Sequence, residues 1–219
     1  MTVVTSFSDT GDKDLYDRIA SALTQLGYII LDSALPEPMV TSLFVHYQSI
    51  NARDFDMAGT GRELDHQINP FVRTDEIYWL DRSNPVTTAY LTWSENLRLE
   101  LNRRLFLGLF DYECHYAWYP TGAFYKKHLD AFTGNTNRVI STVLYLNPSW
   151  NTGDGGELLM YRDDESEPFE IIAPIFGRLV LFLSEEFPHE VVKTTKPRRS
   201  LAGWYRINTT TYDSLDPPR

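Results

Sequence analysis

The second half of the chain is a succession of short apolar runs separated by turn residues, and this pattern limits the folds open to it. From about Asp111 onward, runs rich in Val, Ile, Leu, Tyr and Phe recur at regular intervals. They occupy residues 115–130, 138–147, 155–161, 170–174, 177–191 and 199–207. Short strands at such spacing, with Pro and Gly between them, are typical of a β-sandwich or barrel. We therefore expect a β core over about 111–208.

The first half of the chain has helical periodicity instead. Segments 12–26, 39–50 and 87–109 each place apolar residues on one side of a helix, and a short buried strand follows the first of them. Residues 51–73 are polar and lack periodicity, which indicates a long loop of the kind that is commonly functional. The helices are predicted to pack on the outside of one sheet. Helices and loop together occupy about 8–110.

Length and composition bound the organisation of the chain. With 219 residues, 42% of them hydrophobic, and no Pro-, Ser- or Gly-rich linker, it is predicted to be one domain over 1–219. The single cysteine, Cys114, cannot form an internal disulfide, which favours a reducing cytoplasm. The chain shows no leader pattern and no run of roughly 18 apolar residues, so we expect neither secretion nor a membrane span.

The net charge of −10 bears on the class of partner. Proteins that bind nucleic acid draw affinity from clustered Lys and Arg that neutralise phosphates. The charge therefore argues against a nucleic acid as the principal substrate. A protein or small-molecule substrate is favoured.

Three side chains in the β half form a pattern typical of a mononuclear iron site. His128 and Asp130 are two residues apart on an extended run, so they point to the same face while Leu129 faces away. His189, which follows Asp130 by 59 residues, can supply a third ligand from a distant strand. Two imidazoles and one carboxylate suit Fe(II) and leave positions open for a chelating cosubstrate and O₂. The pattern predicts a site built for oxidation.

An arginine beside this site can bind an acid. Arg198 follows His189 by nine residues, and period two places Arg198, Ser200, Ala202 and Trp204 on one face of the last strand. The small residues between the cation and the indole leave a slot. The distal carboxylate of a dicarboxylic cosubstrate can extend into it and meet Arg198 as a bidentate pair. Arg199 points to the opposite face and is the weaker candidate.

The order of these motifs resembles that of the Fe(II)- and 2-oxoglutarate-dependent oxygenases, and within them the prolyl 4-hydroxylases of the oxygen-sensing type and their bacterial relatives. The shared pattern is H-x-D, LYLN-x-x-W, GG-x-L, P-x-x-G-x-L-x-x-F, H-E-V and R-x-x-x-x-x-W, and the match covers roughly 58–206. The resemblance implies a double-stranded β-helix of jelly-roll, cupin-like form, α+β to mainly β in class. It also implies that the domain is catalytic.

The resemblance assigns further roles. Tyr145 matches a tyrosine that hydrogen-bonds the 2-oxoglutarate carboxylate together with the arginine. Tyr119 and Tyr125 match groove residues near the cosubstrate and the prolyl substrate. Trp204 would present an apolar wall to a pyrrolidine ring. The segment VRTDEIYWLD, residues 72–81, is similar to one that those enzymes place beside the substrate groove.

Within that segment the resemblance implies a link between the substrate loop and the barrel. Asp75 and Arg138 match positions that form an ion pair in the oxygen-sensing prolyl hydroxylases. We expect them to meet at the usual contact distance of about 3 Å. Arg73 is then left free to face the groove, and both Arg73 and Arg138 lie beside the substrate.

These observations predict an enzyme that binds Fe(II) through His128, Asp130 and His189. By the resemblance, it would use 2-oxoglutarate and O₂ to hydroxylate C4 of a proline in a flexible protein loop, with ascorbate as a stimulant. Bacterial relatives suggest the loop of a translation factor. Two alternatives stay open. One is an oxygenase acting on a free amino acid, a small metabolite or a nucleobase, and the other is a non-catalytic binding module of the same fold.

Overall fold

The computed structural model of the protein describes residues 9–59, 69–131, 137–163 and 165–210. These ranges contain three α-helices, namely α1 (Asp9–Gln25), α2 (Glu37–Ser49) and α3 (Pro85–Leu105). A 3₁₀ turn, Ala52–Asp54, follows α2. The strands of these ranges are β1 (Tyr28–Leu31), β2 (Asp56–Met57), β3 (Glu76–Trp79), β4 (Leu109–Tyr119), β5 (Tyr125–His128), β6 (Arg138–Tyr145), β7 (Leu158–Met160), β8 (Glu170–Ile172), β9 (Leu179–Leu183), β10 (His189–Val191) and β11 (Arg198–Ile207).

The strands form two antiparallel sheets. The large sheet has the order β1-β9-β6-β11-β4-β3-β2, and the small sheet has the order β5-β10-β7-β8. Buried side chains from both sheets, among them Ala117, Tyr145, Met160 and Phe182, form one apolar cluster. The two sheets therefore pack face to face, and the β core expected from the sequence is confirmed.

The three helices cover the outer face of the large sheet. A second apolar cluster joins helix residues such as Leu23, Leu43 and Leu97 to Leu144 and Leu201 on the strands. Because β4, β6 and β11 are covered on both faces, they are buried along most of their length. The prediction that helices support one sheet from outside is confirmed.

The end of α3 differs from the predicted one. Phe106 adopts a left-handed conformation (φ 54°) that ends the helix, and the side chain of Asn102 exchanges hydrogen bonds with the backbone N–H and C=O of Leu109. Leu109 then begins β4. The predicted helix over 87–109 was therefore too long at its C-terminal end.

The polar segment 51–73 is only partly a loop. It contains the 3₁₀ turn and β2, which pairs with β3 at the edge of the large sheet. Residues 60–68, in the middle of the predicted loop, lie outside the described residues. Among the helices described, none is long and apolar enough to cross a bilayer.

Candidate metal and cosubstrate site

Two strands of the small sheet bring the predicted metal ligands together. His128 ends β5, His189 begins β10, and the two residues are direct partners in the strand register. Asp130 follows β5, with one carboxylate oxygen 3.6 Å from Nε2 of His128 and the other 3.6 Å from Nε2 of His189. The ligand atoms of all three residues lie within 4.8 Å of one another. One ion can therefore contact all three.

Backbone carbonyls fix the orientation of both imidazole rings. The Nδ1 atom of His128 lies 2.7 Å from the carbonyl oxygen of Lys126, and Nδ1 of His189 lies 2.9 Å from that of Phe187. Because a carbonyl only accepts, each Nδ1 carries the proton and each Nε2 presents a lone pair. These lone pairs are available to a metal.

Asp130 connects the metal site to the large sheet. Ser141, on β6, donates a hydrogen bond of 2.6 Å to Oδ2 of Asp130, and its hydroxyl lies 2.9 Å from that of Ser184. Ser141 is 1% exposed and Ser184 is fully buried. The carboxylate is thus held by a side chain of the opposite sheet, which limits its rotation.

The environment of His189 and Asp130 shifts their pKa values toward the protonation states that metal binding needs. Burial, with the neighbouring His128, lowers the pKa of His189 to about 4. Burial alone would raise the pKa of Asp130, but His189 and His128 hold it well below its usual range. A neutral imidazole and an ionised carboxylate are the forms that ligate a divalent cation. Two nitrogens and a carboxylate with open positions around them fit Fe(II).

The serine contact yields a first prediction. We expect Ser141→Ala to weaken metal binding by about 10- to 100-fold, the usual effect of removing a partner that orients a ligand. Titration of the metal-free protein with Mn(II) would measure it. Ser184→Ala is the matched control, because Ser184 reaches Asp130 only through Ser141 and should have a smaller effect. Unchanged Mn(II) affinity in Ser141→Ala would contradict this role.

Arg198 lies on the inner face of the large sheet, as period two predicted. It is 1% exposed. Its Nε donates to the carbonyl of Gly156 at 2.9 Å, and Nη1 donates to the hydroxyl of Ser200 at 3.1 Å. The guanidinium carbon lies 4.6 Å from the ring centre of Tyr119 and 5.1 Å from that of Tyr145. The structure thus brings together the three residues predicted to hold the cosubstrate.

Two buried polar atoms on the inner face of the large sheet, one on β6 beside Arg198 and one farther along β11, have no hydrogen-bond partner in the described part of the chain. They are the hydroxyl of Tyr145 and Nε1 of Trp204. Burial raises the pKa of Tyr145, although the nearby Arg198 opposes this effect. An unpaired buried donor costs free energy, about 1 to 3 kcal/mol. Both atoms are therefore placed to donate to a bound ligand.

Tyr125 links the metal site to the segment before β3. Its ring stacks on His128, with ring centres 3.6 Å apart and planes 15° from parallel. Burial raises the pKa of Tyr125 to about 12, so its hydroxyl stays protonated. On this same Tyr125 ring, the guanidinium carbon of Arg73 lies 4.2 Å from the ring centre. Arg73, Tyr125 and His128 thus form one continuous contact.

The predicted ion pair between Asp75 and Arg138, with Arg73 free, is wrong. Arg73 donates to both carboxylate oxygens of Asp75, at 2.8 and 2.6 Å, and also to the carbonyl of Gly59 at 3.1 Å. Asp75 is fully buried. The two residues are two apart on an extended segment, so their side chains share a side and pair locally. Asp75 therefore holds this segment by pairing with Arg73, which in turn binds the carbonyl of Gly59.

Strand order explains where Arg138 goes. In the strand register Arg138 lies opposite Arg206, near one end of the sheet. Asp75 directly precedes Glu76, which lies opposite Trp118 near the other end. The guanidinium carbon of Arg138 lies over the Trp204 ring, 3.6 Å from its centre, and Nη2 donates to the Glu113 carboxylate at 2.9 Å. It therefore holds the indole against the inner face.

Trp204 has two aromatic neighbours that sequence reasoning missed. The His115 ring lies 5.4 Å from Trp204 and 4.9 Å from Trp79, so three rings line this part of the inner face. The Nδ1 atom of His115 is buried without a hydrogen-bond partner among the described residues. Trp79 is 40% exposed. Its place in VRTDEIYWLD, on the same face as Ile77, was the available signal.

Comparisons with known proteins agree with this geometry. A sequence model of the 2OG-Fe(II) oxygenase superfamily matches residues 114–206, which include the triad and Arg198. The crystal structure of a Pseudomonas putida prolyl-4-hydroxylase is similar over 88% of this chain and 98% of that chain, with 38% identity and a TM-score of 0.78. A Trichoplax adhaerens prolyl hydroxylase, solved with a peptide fragment of the hypoxia inducible factor oxygen degradation domain, has 26% identity and a TM-score of 0.75, covering 92% of this chain and 94% of that chain. These structures confirm the double-stranded β-helix.

A longer relative is similar over part of its length. The hypoxia-inducible factor prolyl hydroxylase of Caenorhabditis elegans is 27% identical over 208 residues, which are 86% of this chain and 28% of that protein. The chain thus spans little more than a quarter of that relative.

Proposed function

Because this chain belongs to the Fe(II)- and 2-oxoglutarate-dependent oxygenases of the prolyl hydroxylase type, we propose that it hydroxylates C4 of a prolyl residue in a protein substrate. The observation that carries the proposal is the position of the His128, Asp130 and His189 triad between the two sheets, with the buried Arg198 on the facing surface. A metal site alone would fit many reactions. The acid-binding arginine restricts it to those that use an anionic cosubstrate.

The triad residues would hold Fe(II), which when bound supplies the redox chemistry that couples decarboxylation of 2-oxoglutarate to substrate oxidation. The protein binds and orients the reactants. Arg198 would pair with the distal carboxylate of 2-oxoglutarate, and the Tyr145 hydroxyl would donate to the same group. Tyr119, stacked beside the guanidinium, would close one side of this pocket and exclude water.

The substrate would lie on the side of the triad away from Arg198. Trp204 offers an apolar face for a pyrrolidine ring, and Arg138 holds the indole in place. Opposite Trp204, the substrate region would be bordered by Tyr125, which stacks on His128, and by Arg73. The Arg73–Asp75 pair fixes the segment that precedes β3. A segment held to the scaffold presents a substrate with less ordering left to do.

The substrate class is tested by mass spectrometry. We expect a bacterial proteome incubated with the enzyme, Fe(II) and 2-oxoglutarate to gain one oxygen atom on specific proline residues, with a matching yield of succinate. A loop of a translation factor is our proposed target. The His128→Ala variant is the control. Succinate formation driven by a free amino acid, a small metabolite or a nucleobase instead, with unmodified proteins, would contradict prolyl hydroxylation of a protein.

Two further proposals concern conditions. The lone Cys114, buried and unable to form an internal disulfide, supports a cytoplasmic location. Ascorbate is proposed to stimulate turnover by keeping the iron reduced. Added ascorbate should raise the number of turnovers before the enzyme loses activity.

A further inference from the structure

The two glycines of the GG-x-L motif, Gly155 and Gly156, end a turn that lies directly against Arg198. We call residues 151–156 the glycine turn. Gly156, its last residue, is buried, and its carbonyl accepts the hydrogen bond from Nε of Arg198 at 2.9 Å. Nη1 donates to Ser200, so the Gly156 carbonyl and the Ser200 hydroxyl together hold two of the three guanidinium nitrogens. The turn therefore decides which edge of the guanidinium is available to an acid.

A side chain on Gly156 would crowd Arg198, which would have to shift by a few tenths of an ångström. A Cβ atom on Gly156 would lie 3.0 Å from Cδ of Arg198 and 3.2 Å from both Cβ of Thr194 and a ring carbon of Trp150. Its φ of 73° is also one that residues with a side chain rarely adopt. The close approach of carbonyl to guanidinium thus depends on the missing Cβ.

The glycine turn is tied to the strand that carries Arg198. The carboxylate of Asp154 lies 2.5 Å from Nζ of Lys196. The backbone N–H and the hydroxyl of Thr195 each donate to the Asp154 carbonyl at 2.8 Å. These contacts lie two and three residues before Arg198 in sequence. The turn and the base of β11 therefore form one fixed unit.

We infer that Gly156 is a positioning residue for 2-oxoglutarate, acting through Arg198, and that the Asp154–Lys196 pair holds it in place. The inference rests on the proposed role of Arg198 as the anchor of the distal carboxylate. It gives the GG-x-L motif a role, which is to orient the guanidinium of Arg198. A side chain on Gly156 would turn the guanidinium away from the carboxylate without touching the metal ligands.

The test compares two alanine substitutions in the same turn. Gly153 also has a positive φ (93°), but a Cβ there would meet nothing within 4 Å. Gly153→Ala therefore imposes similar backbone strain without contact with Arg198. Calorimetric titration of the Mn(II)-loaded protein with 2-oxoglutarate should show binding weakened by about tenfold or more in Gly156→Ala, as expected from losing one charge-assisted hydrogen bond. Gly153→Ala should bind as wild type does.

A second ligand separates positioning from general damage. In 2-oxopentanoate a methyl group replaces the distal carboxylate, so its binding does not use Arg198. Gly156→Ala should bind 2-oxopentanoate as wild type does, and should raise the KM for 2-oxoglutarate with little change in kcat. Equal weakening for both ligands would overturn the inference, as would equal behaviour of Gly156→Ala and Gly153→Ala.

Arg198→Ala distinguishes the proposed role of Arg198 from that of Gly156. If Arg198→Ala binds 2-oxoglutarate as tightly as wild type does, the proposed anchor is wrong. If Arg198→Ala binds weakly and Gly156→Ala does not, only the role of Gly156 is wrong. Adding Gly156→Ala to Arg198→Ala should cause no further loss, because the two act through one contact.

Asp154→Asn carries the test if Gly156→Ala does not fold. It removes the charge that pairs with Lys196 and leaves every glycine in place. We expect a several-fold weaker binding of 2-oxoglutarate with unchanged binding of 2-oxopentanoate. Wild-type binding of both ligands would overturn the role of the pair.

Discussion

Replacing His128 or Asp130 with alanine is expected to abolish Fe(II)-dependent turnover of 2-oxoglutarate while the fold is retained. Each residue would supply one of three protein ligands at a site with open coordination positions, so the two remaining ligands would hold the ion poorly. The loss of turnover should exceed the roughly 10- to 100-fold effect of removing a partner that only orients a ligand. Succinate release measures activity, and the circular dichroism spectrum reports on the fold.

A histidine outside the triad serves as the control. His46, on α2, lies with Nδ1 3.1 Å from the hydroxyl of Tyr116 on the helical side of the large sheet. His46→Gln should keep Fe(II)-dependent turnover near the wild-type level. Full activity in either triad variant would show that the metal is bound elsewhere.

Arg198→Ala is expected to raise the KM for 2-oxoglutarate by roughly 10- to 100-fold. The paired guanidinium and carboxylate are both removed from water, and such a charge-assisted contact contributes about 1.5 to 3 kcal/mol. Because each 1.4 kcal/mol corresponds to about a factor of ten, this range gives the stated effect. Initial rates at varied 2-oxoglutarate concentration provide the measurement.

The neighbouring arginine is a matched control. Arg199 points to the outer face, where its guanidinium carbon lies 5.7 Å from the Tyr47 ring of α2. Arg199→Ala removes the same charge one residue away, so long-range electrostatics change similarly in both variants. It should have much less effect on KM. Equal effects, or a larger effect of Arg199→Ala, would contradict the assignment of Arg198 as anchor.

Local periodicity was sufficient for most of the fold. The β-branched runs marked β6, β9 and β11, and the three helices lie close to their predicted places. The two-residue strand β2 has too few positions to show a period. The end of α3 depends on Asn102 binding the backbone of Leu109, a contact that apolar spacing does not reveal. The sequence therefore predicted elements better than their ends.

The site was predictable where one strand determines it. Period two was enough to place Arg198 inward and Arg199 outward, and to put His128 and Asp130 on one side. The partner of Arg138 was not predictable in this way, because it depends on β11 lying between β6 and β4. The roles of Ser141 and Gly156 were not predicted for the same reason. Ser141 contacts Asp130 across the two sheets, and Gly156 contacts Arg198 across a turn.

The metal site is built on the edge of the small sheet, and this location has a consequence for local unfolding. β5 has four residues and exposes Lys126 and Lys127 to solvent, and β10 is its one neighbour within the small sheet. On its other side it forms a short bridge, in which Tyr125 pairs with Arg73 and the N–H of Lys126 donates to the carbonyl of Val72. Short edge strands open more easily than central ones. A bound ion would tie His128 on this edge to His189 on the adjacent strand. We therefore expect amide hydrogen exchange along β5 to slow when the metal binds.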